Sequence, residues 1–306
     1  MDKVKKMLVC LDLSEMDNVM IRYASFLSEI MDAEEIHFLH AFDYKDLPDN
    51  FYEVFPELEK PVPEIIKDEI REEVDHYLNN EQVTTNIEVL EEQQASSIVK
   101  WAEKQDIDLI MIGKKITFRG KGNLALKVAR LSHCSLMFVT ETCKTVVDKI
   151  MVPLDFSDYS KLALQSAIHI SKKLDATIIC ENVYSLPPQY FPYISVKQEH
   201  IDKIEKSQLK KCKQFLKKSR IPEEHLTFKM AADRDNSVAD RLYKDAVQEE
   251  VDLIVIGSKG VTYASSFLLG GVAERLISNE KSLPVLIIKD KKKRAGILDD
   301  LLRLTS

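Results

Sequence analysis

The sequence predicts an α/β fold made of two tandem, doubly wound domains. Three observations carry this: a long internal repeat, short apolar runs rich in Val and Ile, and helical periodicity between those runs. Lys6–Glu15 (KMLVCLDLSE) aligns with Lys149–Asp158 (KIMVPLDFSD), each an apolar run that ends in Asp and then Ser. Asp108–Gly113 (DLIMIG) aligns with Asp252–Gly257 (DLIVIG) at nearly the same offset. A period this long marks a duplicated domain rather than a solenoid repeat. The boundary is placed near Thr142–Val147, giving domains over residues 1–144 and 145–306.

The elements follow in order along the second copy. Ile150–Leu154, Thr177–Val183, Leu226–Ala231, Leu253–Ile256 and Val285–Ile288 are nearly all apolar, as strands buried on both faces must be. Ser160–Leu174 places Leu162, Ala163, Ala167, Ile170 and Leu174 at helical spacing, and Val238–Glu250 sets Val238, Leu242, Ala246 and Val247 on one face. Strand, helix, strand repeated in this way implies a parallel sheet covered on both sides, joined by right-handed crossovers. The helices near Glu64–Leu78 and His200–Lys218 are heavily charged, as solvated outer faces are. Asp43–Pro63, with four aromatics, and the Pro-rich Tyr184–Tyr193 read as surface loops.

Composition narrows the function. With 45% hydrophobic and 30% charged residues the chain has the balance of a soluble globular protein. A net charge of −7 argues against a nucleic-acid partner held by phosphate neutralisation. Met7–Leu11 is too short for a signal core, and no apolar stretch approaches the ~20 residues of a membrane helix, so a cytoplasmic protein without a membrane partner is expected. Cys10, Cys134, Cys143, Cys180 and Cys212 never form C-x-x-C and read as reduced, mostly buried thiols. His37 and His40 fall on opposite faces of a strand, which disfavours a shared metal, and Trp101 sits in an amphipathic helix as a core residue. Lys291–Arg294 reads as a short solvated run.

Ligands of open parallel α/β sheets bind beyond the carboxyl ends of the strands, where strand order reverses. Asp155 stands at one such end and Gly257 at another. The segment after Gly257 supplies Lys259, Gly260, then Gly270-Gly271 at the start of a helix reading over Val272–Ile277, a combination suited to anions. A turn or cap role for Asp155, and close packing for the glycines, are the alternatives. No P-loop, dinucleotide fingerprint, kinase loop or Ser elbow is present.

The pattern Gly-x2-Gly-x9-Gly from Gly257 to Gly270, with the opening Lys149–Ser157, resembles ATP-binding universal stress proteins, and the likeness to tandem members covers both halves. The resemblance implies a five-stranded sheet in each domain, ordered 3-2-1-4-5. It implies that Leu154 and Asp155 meet the ribose or adenine side and that Val183 presents its backbone to adenine. Gly257, Gly260, Gly270, Gly271 and Val272 would hold ribose and phosphates through main-chain N–H groups, with Lys259 adding charge. Gly271 departs from the family, which carries Ser or Thr there. The first copy departs further: Asp12 and Gly113 remain, but Ile116 replaces the second glycine and Lys114, Lys115, Arg119 and Lys121 crowd the loop, so no nucleotide is expected in it.

The implied function is a cytosolic stress-response regulator. It would bind ATP, alone or with Mg2+, or a related adenine nucleotide, in its second domain, and signal to a protein partner. A nucleotide-independent scaffold is one alternative. Another is a slow ATPase or self-phosphorylating protein with Ser258, Thr262, Ser265 or Ser266 as acceptors. The family's dimers pair through the last strand, which implies an internal pseudo-dimer through Leu136–Thr140 and Val285–Lys289 and leaves a homodimer open.

Overall fold

The computed structural model describes residues 4–43, 45, 47–48, 50–56, 58–92, 94–115, 124–185, 197–233, 237–260, 269–277 and 282–290. Two compact units meet at Thr145 and Val146.

In the first unit the order is β1 (Lys6–Leu11), α1 (Met16–Met31), β2 (Glu35–Ala41), α2 (Phe51–Val54), α3 (Val62–Tyr77), β3 (Thr84–Leu90), α4 (Ala95–Lys104), β4 (Leu109–Lys114), α5 (Leu124–Leu131) and β5 (Ser135–Thr140). The sheet runs β3-β2-β1-β4-β5, every pair parallel. Its central strands are buried on both faces, which is why their sequences do not alternate. Helix α1 buries Met20, Ile21, Ala24, Leu27 and Ile30–Met31 at helical spacing. It stops at Asp32, whose left-handed backbone returns its N–H to the Ser28 carbonyl.

The second unit repeats this construction with β6 (Lys149–Pro153), α6 (Asp158–Leu174), β7 (Thr177–Ser185), α7 (Gln198–Ser219), β8 (Leu226–Asp233), α8 (Val238–Gln248), β9 (Leu253–Gly257), α9 (Gly271–Leu276) and β10 (Val285–Ile288). Its sheet order is β8-β7-β6-β9-β10, again parallel. Both sheets thus have the 3-2-1-4-5 order. Ser157 caps α6 by accepting a hydrogen bond from the Ser160 N–H at 3.1 Å. Strand β7 is covered on both faces. Tyr184 reaches Glu205 of α7, whereas Glu181, an odd number of residues away, faces Asp245 of α8.

Several elements differ in detail from the pattern in the sequence. β7 and β8 each run two residues further than their apolar cores, because the ladder continues through Tyr184↔Ala232 and Ser185↔Asp233. Backbone pairing is indifferent to the polar side chains there. Val247 is exposed rather than on the packed face of α8, since it lies a further 100° or so round the helix from Ala246. Trp101 is half-buried, its ring steeply inclined to that of His37 with the two centroids 5.2 Å apart. The Lys291–Arg294 run and most of the Tyr184–Tyr193 loop lie outside the described residues.

All five cysteines are free. Burial pushes the Cys10 and Cys180 thiols up to about 12 and Cys212 to about 11, so these thiols stay protonated at neutral pH.

Candidate functional site

Strand order in the second unit reverses between β6 and β9, and the segments leaving these two strands meet. Leu154 is buried, and its carbonyl accepts a hydrogen bond from Asn182 Nδ2 at 2.7 Å. The first unit makes the same contact with a different residue: His40 Nδ1 lies 3.1 Å from the Leu11 carbonyl. A side chain on the second strand therefore fixes the backbone just before the Asp in both units. Asn182 was not evident as a site residue in the sequence, although its alignment with His40 is visible there once the strands are registered.

Asp155 is exposed and divides its work between two oxygens. Oδ1 accepts from the Ser157 N–H at 3.0 Å and the Ser157 hydroxyl at 2.6 Å, which is the turn role. Oδ2 faces Gly260, where an added Cβ would fall 2.7 Å from it. Between Asp155 and Ser157, Phe156 holds a left-handed backbone (φ 66°), and Leu13 does the same after Asp12 (φ 59°). A non-glycine residue there costs on the order of 1 kcal/mol or more. No glycine marks the position, so sequence gives no sign of it.

The glycines do different jobs. A Cβ on Gly257 would stand 2.7 Å from the backbone of Tyr159, so this glycine lets α6 pack against the end of β9. Gly270 donates its N–H to the Ser258 carbonyl at 2.8 Å, closing the two ends of the loop on each other. Its N–H is thereby engaged within the chain, not directed outward as the resemblance implied. Gly260 remains as a cradle that a side chain would fill. Lys259 is half-buried, its Nζ 5.9 Å from the centre of the Tyr159 ring. Gly271, exposed, and Val272 are the first two residues of α9, where main-chain N–H groups precede any acceptor within the helix. Val183 lies on β7 beside β6, paired with Ala231. Ser258 is buried, and Thr262, Ser265 and Ser266 lie outside the described residues.

At the matching place in the first unit the Asp is engaged by the chain itself. Lys115, the counterpart of Lys259, sets its ammonium 2.6 Å from Asp12 Oδ2, the oxygen equivalent to the one that faces Gly260. Asp17, buried at the start of α1, accepts from the Asp12 and Leu13 N–H groups at 3.0 and 2.8 Å. Burial pushes its carboxyl up to about 6. Residues 116–123, including Ile116, Arg119 and Lys121, are outside the described residues.

Between β7, β8 and α8 lies a buried acid cluster that the sequence did not reveal. Glu181 is fully buried, and neither of its oxygens has a partner of hydrogen-bond geometry. Burial, then the neighbouring Asp245, pushes its carboxyl up to about 9, so it is neutral at pH 7. Asp245 stays ionised. Its own burial opposes that, but Glu181, Arg241 (Nε 2.6 Å) and Lys229 (3.5 Å) together hold its carboxyl below the usual range. Lys229 also pairs with Glu249 at 2.6 Å.

Among the described residues, no group of three or more His, Cys, Asp or Glu is placed to hold a metal ion. No helix there is long and apolar enough to cross a membrane. A family model, the universal stress protein family, matches residues 3–140 and again residues 147–289. The chain belongs to the universal stress protein family. It is similar to universal stress protein MJ0531 of Methanocaldococcus jannaschii, 31% identical over 165 residues that span 53% of this chain and 94% of that protein. It is 25% identical to universal stress protein YxiE of Bacillus subtilis over 148 residues, 46% of this chain and 99% of that one. The crystal structure of a universal stress protein from Archaeoglobus fulgidus superposes with a TM-score of 0.60 at 16% identity, covering 94% of this chain and 97% of the other. At that identity the likeness shows the fold alone, and it extends over both repeats.

Proposed function

We propose that the second unit of this universal stress protein binds ATP or a related adenine nucleotide, and that binding acts as a cytosolic regulatory signal to a protein partner. One observation carries the reading: without a side chain Gly260 brings the backbone of the loop close against Asp155 Oδ2, where a Cβ would fall 2.7 Å away, whereas in the first unit Lys115 is ion-paired to Asp12. The residues present fit the ligand. Asp155 Oδ2 would accept from a ribose hydroxyl, with Leu154 and Asn182 fixing its backbone. The Val183 main chain would meet the base. Gly260, Gly271 and Val272 would offer N–H groups to the phosphates, with Lys259 as the nearby cation. Gly257 and Gly270 serve by packing and by closing the loop. Mg2+ would be held by the nucleotide's own phosphates.

Gly271 favours a second reading, a nucleotide-independent scaffold, because the hydroxyl donor usual in the family is missing there. Protein purified without added nucleotide should release an adenine nucleotide on denaturation, seen by mass spectrometry, and should titrate with ATP calorimetrically at one site per chain. No heat of binding at millimolar ATP would favour the scaffold.

A further inference from the structure

Helix α7 carries a surface that the crevice does not use. Between Gln198 and Ser219 it holds seven lysines and three acids, and no acid at all from Lys206 onward, in a chain whose net charge is −7. Lys206, Lys210, Lys213 and Lys217 recur at steps of four, three and four, so they share one face over about 16 Å of helix. Between them and the turn that follows lies a trough of about 610 Å³, floored by Leu209, Leu216 and Ile221. Lys213 is tied to Glu223 at 3.0 Å. Among the described residues Lys206, Lys210 and Lys217 meet no carboxylate.

A merely solvated helix interleaves its charges, because like charges one turn apart repel. Here the repulsion is left in place above an aliphatic floor widened by the lysine stems. The chemistry of an occupant follows: an apolar stripe to enter the trough, with carboxylates along the side that meets the lysines. A membrane surface fits poorly, because Leu216 and Ile221 lie below the lysines, 1% and 7% exposed, and no large apolar residue of α7 projects beyond them. A nucleic-acid backbone would leave the floor unused. We infer that the α7 trough is a docking groove for an acidic amphipathic helix of a partner protein.

The test uses the full chain without nucleotide and a fluorescein-labelled synthetic helix of about 18 residues, with leucines at i, i+3, i+4 and i+7 flanked by glutamates. Anisotropy should show saturable binding that weakens as salt rises. Lys206→Glu, Lys210→Glu and Lys217→Glu together should weaken it by about tenfold or more. Lys203→Glu, Lys211→Glu and Lys218→Glu make the same charge change on exposed positions outside the trough and should weaken it far less. A peptide with its leucines replaced by glutamine should not bind. Circular dichroism confirms that both variants remain helical. The inference is overturned if the peptide does not bind. Equal losses in the two variants, or retained binding by the glutamine peptide, would also overturn it. So would capture of phosphatidylserine vesicles, lost in the first variant, by protein that ignores the peptide.

Discussion

Replacing Glu181 with Gln should change how the second unit responds to pH. The wild-type carboxyl titrates at about 9 in the folded unit, against an ordinary value of 4.5. A folded value raised above the unfolded one means that the folded state keeps a proton the unfolded state gives up. The stability this group permits is complete below 4.5 and is lost as pH rises toward 9. Each pH unit costs about 1.4 kcal/mol, or about 6 kcal/mol over the whole interval. Between pH 6 and pH 8 the wild type should therefore lose about 3 kcal/mol that Glu181→Gln retains. Asp17 titrates at or below the start of that window and the buried thiols above it, so neither obscures the difference. Urea unfolding at both pH values checks this. Circular dichroism follows the whole chain, while Trp101, the single tryptophan, reports the first unit and serves as an internal control. A variant whose stability falls with pH in parallel with the wild type would refute the assignment of a neutral, buried Glu181.

Three other perturbations follow from the geometry. Gly257→Ala should cost about 2 kcal/mol or more in a thermal or urea melt, since its Cβ meets the backbone of Tyr159. Gly113→Ala should cost less, because the atoms nearest its Cβ are those of the Met16 side chain. Asn182→Leu strands the Leu154 carbonyl and should lose about 1–3 kcal/mol together with ATP affinity. Asn182→His, the residue the first unit uses, should recover most of both, as read by calorimetry. Lys115→Ala breaks a partly exposed ion pair and should change stability by less than about 1 kcal/mol. It should also leave one nucleotide per chain, since Ile116 still stands where the second unit has Gly260; two bound nucleotides would contradict the reading of the first unit.

The fold was legible because its signal is carried by hydrophobic runs. Ile150–Leu154 and Leu253–Ile256 are apolar throughout, and such runs between helical segments have few solutions besides a buried parallel strand. Asp155 and Gly260 were legible because their chemistry is local: a carboxylate at a strand end and a missing side chain in the loop opposite. What stayed hidden depends on residues distant in the chain. Glu181 reads as one of two adjacent polar residues in a mostly apolar strand until β8 brings Lys229, and α8 brings Asp245, to the same face. The separate duties of Gly257, Gly260 and Gly270 are invisible for the same reason. Each is set by Tyr159, Asp155 or Ser258, and the sequence shows only that all three lack a side chain.

The difference between the two crevices is tested most directly by titrating ATP into two variants beside the wild type. Gly260→Ile gives the second unit the residue found in the first and sets a side chain against Asp155 Oδ2. Asp12→Ala removes the carboxylate that Lys115 already occupies. Calorimetry should show one site in the wild type, none in Gly260→Ile with its circular dichroism unchanged, and an unaltered site in Asp12→Ala. Undiminished binding in Gly260→Ile, or a site lost with Asp12, would contradict the account.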